Sequence, residues 1–290
     1  MYSSHMGPAL FIDGKNTAYR SVFATKNSRS HPFVSWLRFT NVWINKFRPS
    51  SIHLFWDCPK NNVWRKKVLQ EYKDNRDGGD TYESEISDKV GSIEHISKEI
   101  MPSMNTRIYA RDGQEADDLI YSACRLLSPN KVIIISSDSD MIQIPWSMSG
   151  IKCYDPRVNQ FMEMPTINPV IQKALMGDST DNVAGYRGIG DVKSGNIARD
   201  YKVMAEFLGV RGDKEYRRNV ALIDLSMNPA RITNELYCLR ILASDPVFDK
   251  SVIFEKIAEL KIAGLNTEYS QLVMPLKDIS QRADSIAVQI

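Results

Sequence analysis

The chain predicts an α/β fold with a mainly parallel central sheet and a helical C-terminal part. Five apolar runs bounded by turn signals mark strands at 9–12 (ALFI), 51–56 (SIHLFW), 106–110 (TRIYA), 131–136 (KVIIIS) and 150–154 (GIKCY). Stretches of helical period lie between them, as at 34–47, where Val34, Leu37, Val42 and Ile44 interleave with Trp36 and Trp43. Such alternation builds parallel sheets from βα units. From about residue 166 the strand signals stop and helical patterns take over.

In chain order, the strand 9–12 runs into Asp13-Gly14, a pair suited to a turn or a helix N-cap. The second run, 51–56, is almost wholly apolar, as expected for a strand covered on both faces, and ends at Asp57. Residues 73–100 are highly charged and only weakly amphipathic, fitting a solvated helical excursion or a mobile lid at the sheet rim. After the strand 106–110, Glu115-Ala-Asp117-Asp118 opens a helix, where acids also suit the positive dipole end. Glu115 and Asp118, three apart, share a face. The most apolar strand, 131–136, is closed by Asp138-Ser139-Asp140, whose two carboxylates point the same way. Asp178 and Asp181 occupy one side of a turn in LMGDSTDN.

Each acid alone has a bland reading as a cap or a solvated residue. Together, nine carboxylates at strand ends and helix starts (Asp13, Asp57, Glu115, Asp117, Asp118, Asp138, Asp140, Asp178, Asp181) predict a shared site, because a parallel sheet delivers its strand C-termini to one rim. Convergent carboxylates repel unless neutralised. A hard divalent cation with oxygen ligands is the usual neutraliser, and phosphoryl chemistry its usual purpose.

Composition agrees. Net charge is +2, but setting nine of the 35 acids aside leaves 26 against 37 basic residues, a surface suited to a polyanion such as nucleic acid. No stretch approaches the roughly 18 apolar residues of a membrane span. No secretory signal pattern is present, so a cytoplasmic setting is expected. Residues 1–7, with their Ser-His-Met, read as an expression scar. Cys58, Cys124, Cys153 and Cys238 form no CxxC pair, which speaks against zinc and disulfides. His31, His53 and His95 make no pattern, and no Gly-x-x-x-x-Gly-Lys-Ser/Thr element supports triphosphate hydrolysis.

Two basic features complete the reading. Gly185, Gly188 and Gly190 with Lys193 fit a tight hairpin between helices, with backbone N–H groups and a lysine facing a phosphate. Arg65-Lys66-Lys67, then Tyr72, Lys73 and Arg76, read either as a solvated basic face or as a phosphate-holding pair with Tyr72 stacking on an unpaired base.

In order and context, ALFIDGKN, HLFWD, EYKDNRD, QEADDLI, ISSDSDM, ALMGDSTDN and GYRGIGDVKSGN, spread from residue 9 to about 200, resemble the 5′-nuclease superfamily. That superfamily comprises flap endonucleases, the 5′-nuclease domain of bacterial DNA polymerase I and free-standing bacteriophage 5′→3′ exonucleases. The resemblance implies a PIN-like catalytic domain at 8–165, with a helical arch or mobile rim at 73–105. It also implies a helical part at 166–290 carrying a helix-hairpin-helix (helix-3-turn-helix) at 183–200. Two Mg2+ ions, replaceable by Mn2+, are implied, with K+ at the hairpin. Asp57, Glu115, Asp117 and Asp138 are expected to hold one ion, and Asp140, Asp178 and Asp181 the other. Asp13 and Asp118 are expected to act directly or through water, and Lys73 and Arg76 to contact the scissile phosphate. Lys173, Tyr72 and the hairpin residues are expected at the DNA.

Two departures stand out. The hairpin places Lys193 beyond Gly190 rather than beside it, and 74–105 carries Asp74, Asp77, Asp80, Glu83, Glu85 and Asp88 where a strand-threading arch would favour bases. The expected activity is 5′→3′ exonuclease and 5′-flap endonuclease by two-metal-ion hydrolysis, in phage DNA replication in the host cytoplasm. The expected partner is DNA with a 5′ flap or RNA–DNA primers, met by a monomer. The alternatives are a PIN-type or ribonuclease H-type primer-removing enzyme and a non-enzymatic DNA-junction binder.

Overall fold

The computed structural model describes residues 7–76, 81–128, 130–266, 269–277 and 279, with backbone alone at 76 and 81–83. Elements run β1 (Ala9–Asp13), α1 (Gly14–Ala24), α2 (Pro32–Phe47), β2 (Ser51–Phe55), α3 (Thr81–Ile100), β3 (Thr106–Tyr109), α4 (Ala116–Leu127), β4 (Val132–Ile135), α5 (Gln143–Ser147), β5 (Ile151–Asp155) and β6 (Gln160–Phe161). The C-terminal part comprises α6 (Pro169–Met176), β7 (Gly177–Asp178), β8 (Val183–Ala184), α7 (Asp191–Arg199), α8 (Tyr201–Arg211), α9 (Lys214–Ile223), α10 (Arg231–Leu242), α11 (Lys250–Leu260), α12 (Tyr269–Leu272) and α13 (Met274–Lys277). All five expected strands form, within a residue or two of their expected ends.

The sheet order is β3-β2-β1-β4-β5-β6, parallel except for the edge strand β6. Chain order reverses between β1 and β4, which opens a crevice at their C-terminal ends. Alternate side chains serve the two faces. Leu10, Ile12, Ile52 and Leu54 pack into one apolar cluster with Trp36, Leu37 and Ile93, and Phe11, Phe55 and Ile134 into another with Leu119 and Ile120. Both faces are therefore covered, as the near-continuous apolar runs required.

Residues 81–100 are helical, as one of the two expectations had it, but not solvated. They form a 20-residue helix whose Ile86, Val90, Ile93, Ile96 and Ile100 are buried in the core shared with α1 and α2. The isoleucine stripe recurs every three to four residues, but dense charge on the opposite face lowers the overall amphipathicity and hides it. Residues 77–80, where Asp77 and Asp80 fall, lie outside the described residues.

The C-terminal helices wrap the sheet. Cys238 on α10 joins the α4 cluster, and Ile253, Ile257, Leu272, Val273 and Leu276 join the cluster of Leu10 and Ile12. All four cysteines are free and buried. No helix among the described residues is long and apolar enough to cross a membrane.

Candidate metal centre

The crevice gathers the carboxylates because each leaves its element at the same rim. Asp13 ends β1 and caps α1, accepting from Asn16 N at 3.1 Å, while its other oxygen accepts from Ser136 Oγ at 2.8 Å. Asn16 Oδ1 in turn accepts from Ser137 N and Oγ, both at 2.9 Å, tying the exit of β1 to the exit of β4. Asp57 follows β2 and accepts from Ala116 N at 2.8 Å, so the start of α4 orients it. Asp138 caps the turn after β4. Asp13, Asp57, Glu115, Asp117 and Asp138 line one cavity of about 680 Å3.

A smaller crevice beside it is lined by Asp117, Asp138, Asp140, Asp178 and Asp181. The last two are delivered by a miniature antiparallel hairpin, β7 with β8. That hairpin is hooked to the 71–73 turn: Lys73 N donates to Asp181 O at 3.0 Å, and Asn182 Nδ2 to Glu71 O at 2.8 Å. Oxygen atoms of Glu115, Asp117 and Asp118 lie within 4.8 Å of one another, as do those of Asp140, Asp178 and Asp181.

Among the described residues, four cations contact these acids. Lys15 Nζ is 3.2 Å from Asp57, Lys73 Nζ is 2.5 Å from Glu115 and 3.6 Å from Asp181, and Lys173 Nζ bridges Asp140 and Asp178. The fourth, Arg65, is buried against Glu115, Asp117 and Asp118. Their charge is unevenly spread. Burial, with Asp57 and Asp138 nearby, pushes Asp13 up to about 7, and burial with Asp138 pushes Asp140 to about 6. Burial, with Asp118 and Glu115 close by, also raises Asp117 well above the carboxylate range. Glu115 goes the other way: against its burial, Lys73 and Arg65 hold it at about 2. A set of hard oxygen donors carrying more negative charge than the protein's own cations relieve fits divalent cations.

The structure places the remaining candidates as follows. Asp118 lies beneath the cavity with both oxygens engaged, accepting from Trp64 Nε1 at 3.0 Å and from Arg65 twice at 3.1 Å. Tyr72 is buried, with its hydroxyl donating to Asp181 at 2.8 Å, so it offers no face to an unpaired base. Lys73 sits in a left-handed turn (φ 60°) rather than on a helix shared with Arg76. Arg76 ends a short turn (Asp74–Arg76), and its side chain lies outside the described residues. Lys173 faces carboxylates, not open surface.

The hairpin glycines serve the backbone. A Cβ on Gly185 would meet Met176 O at 2.0 Å, so glycine is required for β8 to close on the end of α6. Gly188 has φ +79°, in the left-handed region. Gly190 caps the nine-residue α7, whose third residue, Lys193, is exposed.

Two important residues escaped sequence reasoning. Lys15 could have been found from its place in the first turn after Asp13. Arg65 lay in a run of basic residues that looks uniformly solvated, and nothing in the spacing marks it as buried.

The sequence profile described as "5′-3′ exonuclease, N-terminal resolvase-like domain" matches residues 8–174. A Mycoplasma pneumoniae protein named 5′-3′ exonuclease is 26% identical over 308 residues, covering 92% of this chain and 100% of its own. The crystal structure of the bacteriophage T5 flap endonuclease, as a pseudo-enzyme-product complex with DNA and metal ions, superposes with a TM-score of 0.65 at 20% identity, covering 96% of this chain and 100% of that one. The catalytic core of Rad2 in complex with DNA substrate superposes with a TM-score of 0.51 at 11% identity, covering 93% of each chain. At these identities the two structural likenesses establish a shared fold.

Proposed function

This chain belongs to the 5′-3′ exonuclease family, and on that premise we propose that it is a magnesium- or manganese-dependent nuclease that hydrolyses DNA at 5′ ends and at the base of 5′ single-stranded flaps. The observation that carries this reading is the convergence of Asp13, Asp57, Glu115, Asp117 and Asp138 on one cavity, with Asp140, Asp178 and Asp181 beside it.

Divalent ions held by these carboxylates would neutralise the scissile phosphate and acidify the attacking water. The chain's own residues supply the positioning. Asn16 and Ser136 hold Asp13, and the Ala116 amide holds Asp57, so the donors are set before substrate arrives. Lys73, between Glu115 and Asp181, would meet a phosphate entering the cavity, with Arg76 three residues on. Lys173 has a long flexible stem able to carry its ammonium from Asp140 and Asp178 to a DNA phosphate. Asp118 acts through Arg65 rather than as a ligand.

Residues 183–200, with the exposed Lys193 and the N-terminus of α7, would grip duplex DNA, with a potassium ion at the same turn. The proposal extends to a monomer acting in the cytoplasm on DNA flaps and RNA–DNA primers.

The test is cleavage of 5′-labelled flap substrates with magnesium and with EDTA, comparing DNA and RNA–DNA flaps. The wild type should cleave only with the metal, and Asp138→Ala should lose cleavage by several orders of magnitude. Equal cleavage with and without EDTA would sink the reading.

A further inference from the structure

Arg65 is the most deeply buried cation of the site. Its guanidinium has five N–H donors, and all five are spent. Nε donates to Leu222 O in the last turn of α9 at 2.8 Å. Nη1 donates to Glu115 Oε2 at 2.7 Å and Asp118 Oδ2 at 3.1 Å, and Nη2 to Asp117 Oδ2 at 3.4 Å and Asp118 Oδ1 at 3.1 Å. The side chain is 2% exposed and lies beside the rings of Trp64 and Tyr72. No donor remains for a DNA phosphate, so Arg65 does not share the role of the basic run around it.

Glu115, Asp117 and Asp118 satisfy the geometry of a cation site by themselves, with oxygens within 4.8 Å. On their inner side that place is taken by a guanidinium, whose planar fork matches carboxylates better than an ammonium would. Glu115 and Asp117 also line the 680 Å3 cavity, whereas Asp118 does not. The Leu222 contact anchors the guanidinium to the helical part of the chain.

Building on the metal-dependent reading above, we infer that Arg65 is a built-in cation and a positioning residue. It fills the inner half of the Glu115–Asp117–Asp118 group, excludes a divalent ion from it, and turns Glu115 and Asp117 towards the cavity. An arginine has a further property an ion lacks: it cannot dissociate. The inner half is therefore neutralised at every metal concentration, and divalent ions bind only on the cavity side.

The experiment counts Mn2+ ions bound per full-length chain, by electron paramagnetic resonance titration, in wild type, Arg65→Met, Arg65→Lys and Asp118→Asn. Arg65→Met removes the charge while keeping an unbranched side chain, and should bind one Mn2+ more than wild type. Arg65→Lys, which restores a charge, should return the count to the wild-type value. An equal count in Arg65→Met and wild type overturns this inference alone, while a wild type that binds no Mn2+ overturns the metal-dependent reading with it. Asp118→Asn preserves the side chain's shape and keeps the test open should Arg65→Met fail to fold. Its count should match wild type, and a count lower by one would make Asp118 an ion ligand and overturn the inference.

Discussion

The two carboxylate groups of the site are neutralised in opposite ways. In the Glu115–Asp117–Asp118 group the cation that touches all three acids is an arginine 2% exposed, facing carboxylates 5%, 24% and 0% exposed, with Lys73 added on Glu115 alone. In the Asp140–Asp178–Asp181 group it is a lysine 19% exposed, Lys173, on the Asp140 and Asp178 carboxylates, 25% and 11% exposed, while Asp181 lies 3.6 Å from Lys73. Arginine brings five fixed donors and is always charged, and lysine a point charge on a mobile stem. The first group is therefore locked before any ion or substrate arrives, and the second is held by a cation that can leave. One half sets the geometry, and the other adjusts to what binds.

The largest consequence falls on the locked half. Removing one partner of a buried ion pair leaves uncompensated charge and typically costs about 3–5 kcal/mol. Arg65→Met should lower unfolding stability in urea by that amount in EDTA, and Mn2+ should recover part of it by binding the folded state. A loss below about 1 kcal/mol would place Arg65 with the surface lysines and dissolve the contrast.

A smaller effect is expected from the support of the second half. Gly185→Ala would drive a Cβ into the Met176 carbonyl, at 2.0 Å, and into Gly177 N, at 2.5 Å. Relief requires β8 to move off β7, which carries Asp178. Overpacking of this kind costs about 1–3 kcal/mol. Cleavage should fall with it, while the number of ions on the first group stays as in wild type. Cleavage and stability both at wild-type values would show that the hairpin does not position Asp178 and Asp181.

How far the sequence foretold these differences depends on what kind of signal each residue leaves. The strands and the acids that end them were legible because an apolar run that stops at an aspartate needs no partner to be noticed, as in VIIISSDSD. The doubly covered sheet was legible from the same runs. The burial of helix α3 was not, because its stripe of four isoleucines and Val90 is diluted by acids and lysines on the other face. Arg65 and Tyr72 were misread for a related reason: a charged or amphipathic side chain is normally exposed, and only tertiary neighbours such as Asp118, Leu222 and Asp181 reveal the exception. The docking of α10 on α4 and of α11 on α3 also depends on long-range pairing that leaves no local pattern.

The smallest stability effect belongs to Lys173, and it separates the two halves most sharply. Its Nζ lies 2.7 Å from Asp178 Oδ2 and also contacts Asp140 Oδ1, so contact geometry alone would rank it with Arg65. It differs in being partly solvated and in having no carbonyl anchor. Lys173→Met should therefore change unfolding stability by no more than about 1 kcal/mol, as partly exposed pairs do. Its effect should appear in ion binding. With the competing ammonium gone, Asp140 and Asp178 are left to a divalent ion, and the Mn2+ concentration for half-saturation should fall about tenfold, equivalent to ~1.4 kcal/mol. Calorimetric titration with Mn2+ alongside urea unfolding reads both quantities on one variant. A stability loss near that of Arg65→Met, with unchanged Mn2+ affinity, would mean that Lys173 is as fixed as the arginine and that both halves of the site are rigid.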